Sequence, residues 1–284
     1  MIIATSADEV RAAVDGAVAF VPTMGALHAG HASLIRLAAG YGGPVVVSDF
    51  VNPTQFGPHE DFERYPRDLE ADAAIAAAAG ADVLYAPELA EVYPEGFATT
   101  VDPGPLAADL CGRSRPGHFA GVATVVVRLY GLVRPTRAVF GRKDYQQLVL
   151  MQRVARDLAL GVEVVPAATV REVDGLALSS RNRYLTGPER ERAACIPGAL
   201  RAAAEAFADG ERDAAALLGA PDLDGLDLEY LELRADDLGS HDPERPAVLL
   251  IACRVGATRL IDNVLLDPAH PDRAALELAA KEPA

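Results

Sequence analysis

The chain has 284 residues, 50% of them hydrophobic and 24% charged, and a formal net charge of −15. That is material for one large or two modest domains with a full core. So acidic a surface argues against a nucleic-acid partner, whose binding is dominated by phosphate neutralisation. The three cysteines, Cys111, Cys195 and Cys253, form no CxxC pair, so neither a disulfide framework nor a zinc site is expected, and free thiols fit a reducing, cytoplasmic setting. The first residues lack the charged start and apolar core of a signal peptide, and no apolar run reaches the roughly 18 residues of a membrane span.

Short β-rich runs alternate with helical patterns up to about Val170, which predicts a parallel sheet with crossover helices. The strands are expected at 18–21, 45–48, 83–86, 138–140 and 162–165, and the helices at 32–39, 69–79, 122–133 and 145–158. Unbroken runs such as Val45-Val46-Val47 fit strands buried on both faces. Beyond Val170 the texture changes. A long Ala- and Arg-rich helix is expected over 189–209 and a loop at 221–225. Antiparallel strands follow at 228–234, 247–255 and 259–263, with a tight turn at Gly256-Ala257-Thr258, then a short helix in the tail. The fold class is therefore α/β, with one domain over 1–169 and a smaller α/β domain over 170–284.

The most informative stretch is Pro22-Thr23-Met24-Gly25-Ala26-Leu27-His28-Ala29-Gly30-His31, which leaves a strand ending at Pro22 and enters a helix. A helix N-terminus favours anions through its free N–H groups and its dipole. Histidines three residues apart on a first turn share one face, so His28 and His31 add two donors suited to a polyphosphate. This decapeptide resembles the signature of the HxGH nucleotidylyltransferases.

Other strand-end motifs follow. Asn52 and Gln55, in Asn52-Pro53-Thr54-Gln55-Phe56-Gly57, offer donors and acceptors suited to a hydroxyl or carboxylate. Asp72, in a helix with acidic residues at its start, is either part of a solvated cap or a ligand for an amine or hydrated Mg²⁺. Arg115, among Gly and Pro, suits carboxylate or phosphate capture, or else sits in a plain surface loop. In Gly141-Arg142-Lys143-Asp144, Lys143 is a point charge for a phosphate, and Asp144 either holds Mg²⁺ or caps the helix. Leu178-Ser179-Ser180-Arg181 is a loop of donors fit to clamp phosphates.

The segments PTMGALHAGH, FVNPTQFGP, RYPRDLEAD, RPGHFAGVATVV, FGRKDYQQL and TVREVDGLALSSRNRYL occur in an order and spacing that resembles the pantoate–β-alanine ligases, densely over 18–186 and loosely beyond. The resemblance implies a Rossmann-like domain with a smaller C-terminal domain closing over the site. It also implies a cytoplasmic homodimer, and condensation of D-pantoate with β-alanine at the expense of ATP and with Mg²⁺. The reaction would run through a pantoyl adenylate, releasing pyrophosphate and then AMP. It assigns ATP to Met24, Gly25, Ala26, Leu27, His28, Ala29, Gly30 and His31, to Gly141, Arg142, Lys143 and Asp144, and to Val170, Leu178, Ser179, Ser180 and Arg181. His31 is then the proton donor, Lys143, Ser179 and Arg181 carry phosphate charge, Gln55 touches pantoate and β-alanine, and Gln147 touches pantoate.

Four departures stand out. Leu178 replaces a frequent Met, Arg142 a usual acid, Ala168 a usual proline, and Asp49 an apolar residue. A buried carboxylate is costly unless paired, so the strand end at Asp49 is expected to be open. The rival readings are another HxGH enzyme that transfers a nucleotidyl group to a phosphorylated acceptor, and a nucleotide-binding module without turnover. A tRNA synthetase is disfavoured by the acidic charge.

Overall fold

Val-, Ile- and Leu-rich runs become strands and the amphipathic segments between them become helices, in a computed structural model that describes residues 1–58, 60, 62–219, 223 and 226–278. Of the loop expected at 221–225, Pro221, Asp222, Asp224 and Gly225 lie outside the described residues. The chain divides into two units.

The first unit comprises Met1–Gly141 and Gln146–Ala167. Its elements are β1 (Ile2–Ala4), α1 (Ala7–Ala13), β2 (Ala19–Thr23), α2 (Ala29–Ala39), β3 (Val45–Asp49), α3 (Leu69–Ala79), β4 (Val83–Tyr85), α4 (Leu89–Val92), α5 (Cys111–Ser114), α6 (His118–Val133), β5 (Arg137–Gly141), most of α7 (Tyr145–Asp157) and β6 (Glu163–Ala167). The sheet order is β1-β4-β3-β2-β5-β6 and every pairing is parallel. The chain moves outward from β2 through β3 to β4, then returns to β2's other side as β5. This is the Rossmann-like arrangement, with its topological switch at β2. Alternate residues serve opposite faces. Phe20 and Val46 pack with Val10 of α1, Val122 and Leu129 of α6 and Met151 of α7. Val21, Val45 and Val47 pack with Ile35 of α2 and Ala76 of α3.

Several features differ from the sequence expectation, among them the short helices α4 and α5 and the first turn of α6 from His118, none of which was expected. β1 and α1 were not anticipated, since a three-residue edge strand with Ile2 and Ile3 half exposed carries no readable alternation. Strand β2 also runs through Pro22 instead of stopping there. Ala19 donates its N–H to Pro44 O of the strand-β3 side, and Thr23 accepts Phe50 N–H from that same side. The residues between alternate, so Pro22 turns its missing donor toward β5, where pairing has already ended at Phe20.

The second unit comprises Arg142–Tyr145 and Ala168–Ala284. Its antiparallel sheet, β7 (Asp227–Ala235), β8 (Ala247–Val255) and β9 (Thr258–Leu266), has β8 in the centre. The β8–β9 turn is the two residues Gly256 and Ala257, because Thr258 already pairs with Val255. Among the described residues four α-helices accompany it: α8 (Gly187–Ala193), α9 (Cys195–Ala208), α10 (Ala214–Gly219) and α11 (Arg273–Leu278). The single helix expected over 189–209 is two helices broken at Ala194. Pro197 explains the break: it has no N–H for the Ala193 carbonyl, and its ring crowds that position.

A buried ion pair ties this unit together. Arg171 Nη1 and Nη2 donate to Asp262 Oδ2 and Oδ1 at 2.6 and 3.0 Å, with side chains only 5% and 1% exposed. Asp262→Ala leaves the guanidinium buried and uncompensated. A loss of about 3–5 kcal/mol is expected, read as a lowered Tm and an earlier denaturant midpoint for the second unit.

Candidate functional site

The loop from Met24 to His28 leaves the carboxyl end of β2, where ligands bind in such sheets. Its backbone is tightly wound: Gly25 has φ +76° and Ala26 φ +51°. A Cβ on Gly25 would lie 2.3 Å from Asp49 Oδ1 and 2.9 Å from Asp72 Oδ2, so only glycine fits. Asp72 of α3 reaches across and accepts Ala26 N–H at 2.8 Å and Leu27 N–H at 2.6 Å. It is 2% exposed and both oxygens are committed to the loop. The structure thus gives Asp72 a scaffolding task in place of the expected Mg²⁺ or amine. Among the described residues there is no group of three His, Cys, Asp or Glu placed to hold a metal.

His28 is the N-cap of α2 and His31 its third residue, Ala29 and Gly30 lying between. Gly30 N–H donates to His28 Nδ1 at 3.1 Å, and His28 N–H donates to His31 Nδ1 at 3.3 Å. A backbone N–H only donates, so both Nδ1 atoms are acceptors and each neutral ring carries its proton on Nε2. The rings stack with centroids 4.1 Å apart. Two imidazole rings are thus held together at a helix N-terminus, a setting suited to phosphate oxygens.

The turn Pro53–Gln55 follows β3. Asn52, expected at the substrate, is 1% exposed and its amide braces the turn instead. Its Nδ2 donates to Gln55 Oε1 and Gly121 O, while its Oδ1 accepts from Thr54 N and Oγ1 and from the Tyr93 hydroxyl at 2.8 Å. Both N–H groups are used, so Asn52 acts through Gln55. Gln55 Nε2 donates to Met24 Sδ at 3.0 Å, joining this turn to the loop after β2. Arg115, the other expected substrate contact, is held bidentately by Glu60, with both bonds at 2.6 Å. Gln147 is half-buried on α7, whereas its neighbour Gln146 is fully buried and braces Leu106, Asp109 and Cys111. Tyr93, Glu60 and His118 were not singled out from sequence. Tyr93 and Glu60 lie 41 and 55 residues from the side chains they brace, and His118, although inside the RPGHFAGVATVV segment, lies 63 residues from the Gln55 carbonyl it meets.

In the second unit, Lys143 Nζ lies 3.8 Å from Asp144 Oδ1, and Asp144 is half exposed. Asn263 anchors this segment by donating to the carbonyls of Arg142 and Lys143, both at 2.9 Å. The Arg142 side chain pairs with Glu277 at 3.0 Å, which partners its unusual charge within the unit. Leu178 N–H donates to Val170 O at 2.9 Å, which brings these two apolar residues together. Ser179 Oγ caps the turn Ser180–Tyr184 by accepting Arg181 N–H at 3.3 Å.

Asp49 closes β3 as its one residue that is not fully buried, and it lines a cleft with Phe50, Pro53 and Arg67. It is partly buried and faces Asp72, a second carboxyl, with no cation as partner among the described residues. Burial first, then the Asp72 charge and their hydrogen bond, push the Asp49 carboxyl up to about 6. A carboxyl raised above its unfolded value binds more protons folded than unfolded, so stability falls as pH rises from about 4 to 6 and the penalty persists above. Asp49→Asn keeps an N–H for Asp72 without the charge. At pH 7.5 it is expected to raise Tm by about 2–4 °C, a gain that shrinks toward zero near pH 4. Thermal unfolding across that range checks it.

The chain matches the family model described as Pantoate-beta-alanine ligase over residues 2–265. It is 56% identical to a pantothenate synthetase of Nocardioides over 265 residues, covering 88% of this chain and 78% of that protein. A crystal structure of the Thermus thermophilus enzyme superposes with TM-score 0.88 at 48% identity, covering 93% of this chain and 99% of that one. The Francisella tularensis pantoate-beta-alanine ligase, crystallised with β-γ ATP and β-alanine, superposes with TM-score 0.75 at 34% identity, covering 93% and 97%. With this coverage and identity, the chain belongs to the pantoate–β-alanine ligase family.

Proposed function

We propose that this enzyme condenses D-pantoate with β-alanine, using ATP and passing through a pantoyl adenylate. The observation that carries the reading is the pair of Nε2–H donors of His28 and His31 at the start of α2, on a loop fixed by Asp72. A carboxylate is a poor acyl donor. One pantoate carboxylate oxygen attacks the α-phosphorus of ATP, the bond to the β-phosphate oxygen breaks, and pyrophosphate leaves. The amine of β-alanine then attacks the acyl carbon, loses a proton, and expels AMP.

The residues act by positioning and by a field of donors rather than as a covalent nucleophile. His28 and His31 bind the phosphates, with His31 the proton donor. The Met24–His31 backbone, Val170 and Leu178 hold the nucleotide, while Lys143, Ser179 and Arg181 meet the charge that develops on the phosphates. Gln55 contacts pantoate and the incoming amine, and Gln147 contacts pantoate. Asp72 is committed to the loop amides, so the half-exposed Asp144 would be the residue to hold a bound Mg²⁺ ion, which would screen the triphosphate charge. A homodimer in the cytoplasm belongs to the same reading.

Incubation with ATP, Mg²⁺ and pantoate is expected to give pyrophosphate, with AMP release only after β-alanine is added. Stoichiometric ADP would mean an acyl-phosphate route and overturn the proposal. A demand for a phosphorylated acceptor would favour a nucleotidylyltransferase, and no turnover a binding module.

Lys143→Ala tests the phosphate field. Loss of one preorganised charge typically costs about 10²–10³ in rate. Adenylate formation is expected to slow by that order, with Tm nearly unchanged. Reaction of preformed adenylate with β-alanine should suffer far less, since pyrophosphate has already gone. Small, equal effects on both half-reactions would remove Lys143 from the site.

A further inference from the structure

Gln55 is held from outside its own turn. Its backbone carbonyl meets His118 Nδ1 at 2.8 Å, and His118, at the start of α6, is 9% exposed. The other ring nitrogen, Nε2, lies 2.9 Å from Arg115 Nη1. A guanidinium only donates, so Nε2 is the acceptor. The imidazole proton must therefore sit on Nδ1, aimed at the Gln55 carbonyl. Arg115 cannot swing away, because its Nε and Nη2 grip Glu60 Oε1 and Oε2 through two parallel bonds of 2.6 Å. Charge-assisted bidentate pairs are strong and fix the geometry of the guanidinium. The Arg115 charge in turn holds the Glu60 carboxyl below its usual range, against the opposing effect of burial, so the anchor stays ionised at neutral pH.

The other side of Gln55 is equally constrained. Oε1 accepts from Asn52 and Nε2 donates to Met24 Sδ, which fixes the amide orientation. Helix α6 comes so close that a Cβ on Gly121 would stand 2.3 Å from Thr54 O and 2.8 Å from Gln55 N. The turn is thus clamped between the loop after β2 and the first turns of α6, and His118 is the polar connection on the α6 side.

We propose that His118 is a positioning residue for pantoate binding: the Glu60–Arg115 pair locks its tautomer so that Nδ1–H holds the Gln55 carbonyl, and Gln55 thereby faces the substrate. This rests on the ligase reading and extends it to three residues that carry no role in that reading. Arg115 then serves the substrate indirectly, through the ring it orients.

The test uses pantoate-dependent ATP–pyrophosphate exchange in the full chain, with KM measured separately for pantoate and ATP. His118→Leu removes the donor, and a lost hydrogen bond of ordinary strength corresponds to about tenfold. KM for pantoate is expected to rise by about that factor, with KM for ATP within about twofold. His118→Asn, whose amide N–H can stand near the Nδ1 position, should restore most of the loss. Glu60→Gln should raise KM for pantoate severalfold in the wild-type background and have no further effect in the His118→Leu background, because it acts through the ring. Glu60→Gln leaves the core untouched, so this arm and His118→Asn stand even if His118→Leu fails to fold. A flat KM for pantoate in Glu60→Gln, pantoate and ATP KM values rising together, or additive effects in the double variant would overturn the proposal. Exchange that never depends on pantoate in the unsubstituted chain would overturn the ligase reading itself, an outcome distinct from exchange that is present but insensitive to these substitutions.

Discussion

The grip of the Asp72 carboxylate on the N–H groups of Ala26 and Leu27 is the contact on which the rest of the site depends. The loop after β2 has to reverse direction with two successive residues at positive φ, one of them Ala26. Such a conformation costs an alanine roughly 1–2 kcal/mol and persists only where its surroundings impose it. Asp72 imposes it with two charge-assisted bonds of 2.6–2.8 Å, reaching from a helix 46 residues further along. With the loop fixed, His28 falls at the N-cap of α2 and His31 one turn on. Their Nδ1 atoms satisfy backbone donors that would otherwise be orphaned at the helix start. The orientation of the two Nε2–H groups is therefore a by-product of capping, and the capping is a by-product of the loop.

The same order of obligations explains the residues that took other tasks. Asn52, Asp72, Arg115 and Arg142 all carry the chemistry of ligands, and each is spent on the protein's own groups: a tight turn, a strained loop, Glu60 and Glu277. A polar side chain buried near a strand end must first satisfy local backbone and charge, because an unpaired buried group costs more than a ligand contact returns. Gln55 differs. Its two bonded side-chain atoms leave capacity for one further donor and one further acceptor bond.

Much of the fold was legible because its signals are local. Val45-Val46-Val47 is buried on both faces and reads as a continuous apolar run, and the glycine that ends α3 adopts the left-handed conformation expected of a helix stop. The HxGH motif is contiguous, so its strand–loop–helix context could be read in one pass. What stayed hidden is non-local. Nothing near Gln55 announces His118, 63 residues away, and nothing near Ala26 announces Asp72. The split between α8 and α9 was written locally, in Pro197, but the alanine-rich pattern around it spoke louder. Strand β1 is a strand only because β4 offers it an edge.

The net charge of −15 stands in apparent conflict with a site for ATP. Screening resolves most of it, since surface carboxylates beyond about 8 Å are largely shielded at physiological ionic strength. What a phosphate meets at close range is decided by local donors. The most negative nearby groups, Asp49 and Asp72, lie against the Gly25–Leu27 loop, and Asp72 turns its charge into two bonds with that loop's amides. Those bonds polarise the peptides they hold rather than opposing the ligand directly. Burial and mutual repulsion push the Asp49 carboxyl toward its neutral form, so the pair carries less charge than two free carboxylates would. On the function proposed above, an acidic chain would in this way offer a helix N-terminus and two imidazoles to a polyphosphate, selecting it by donor geometry where a basic surface would select any anion.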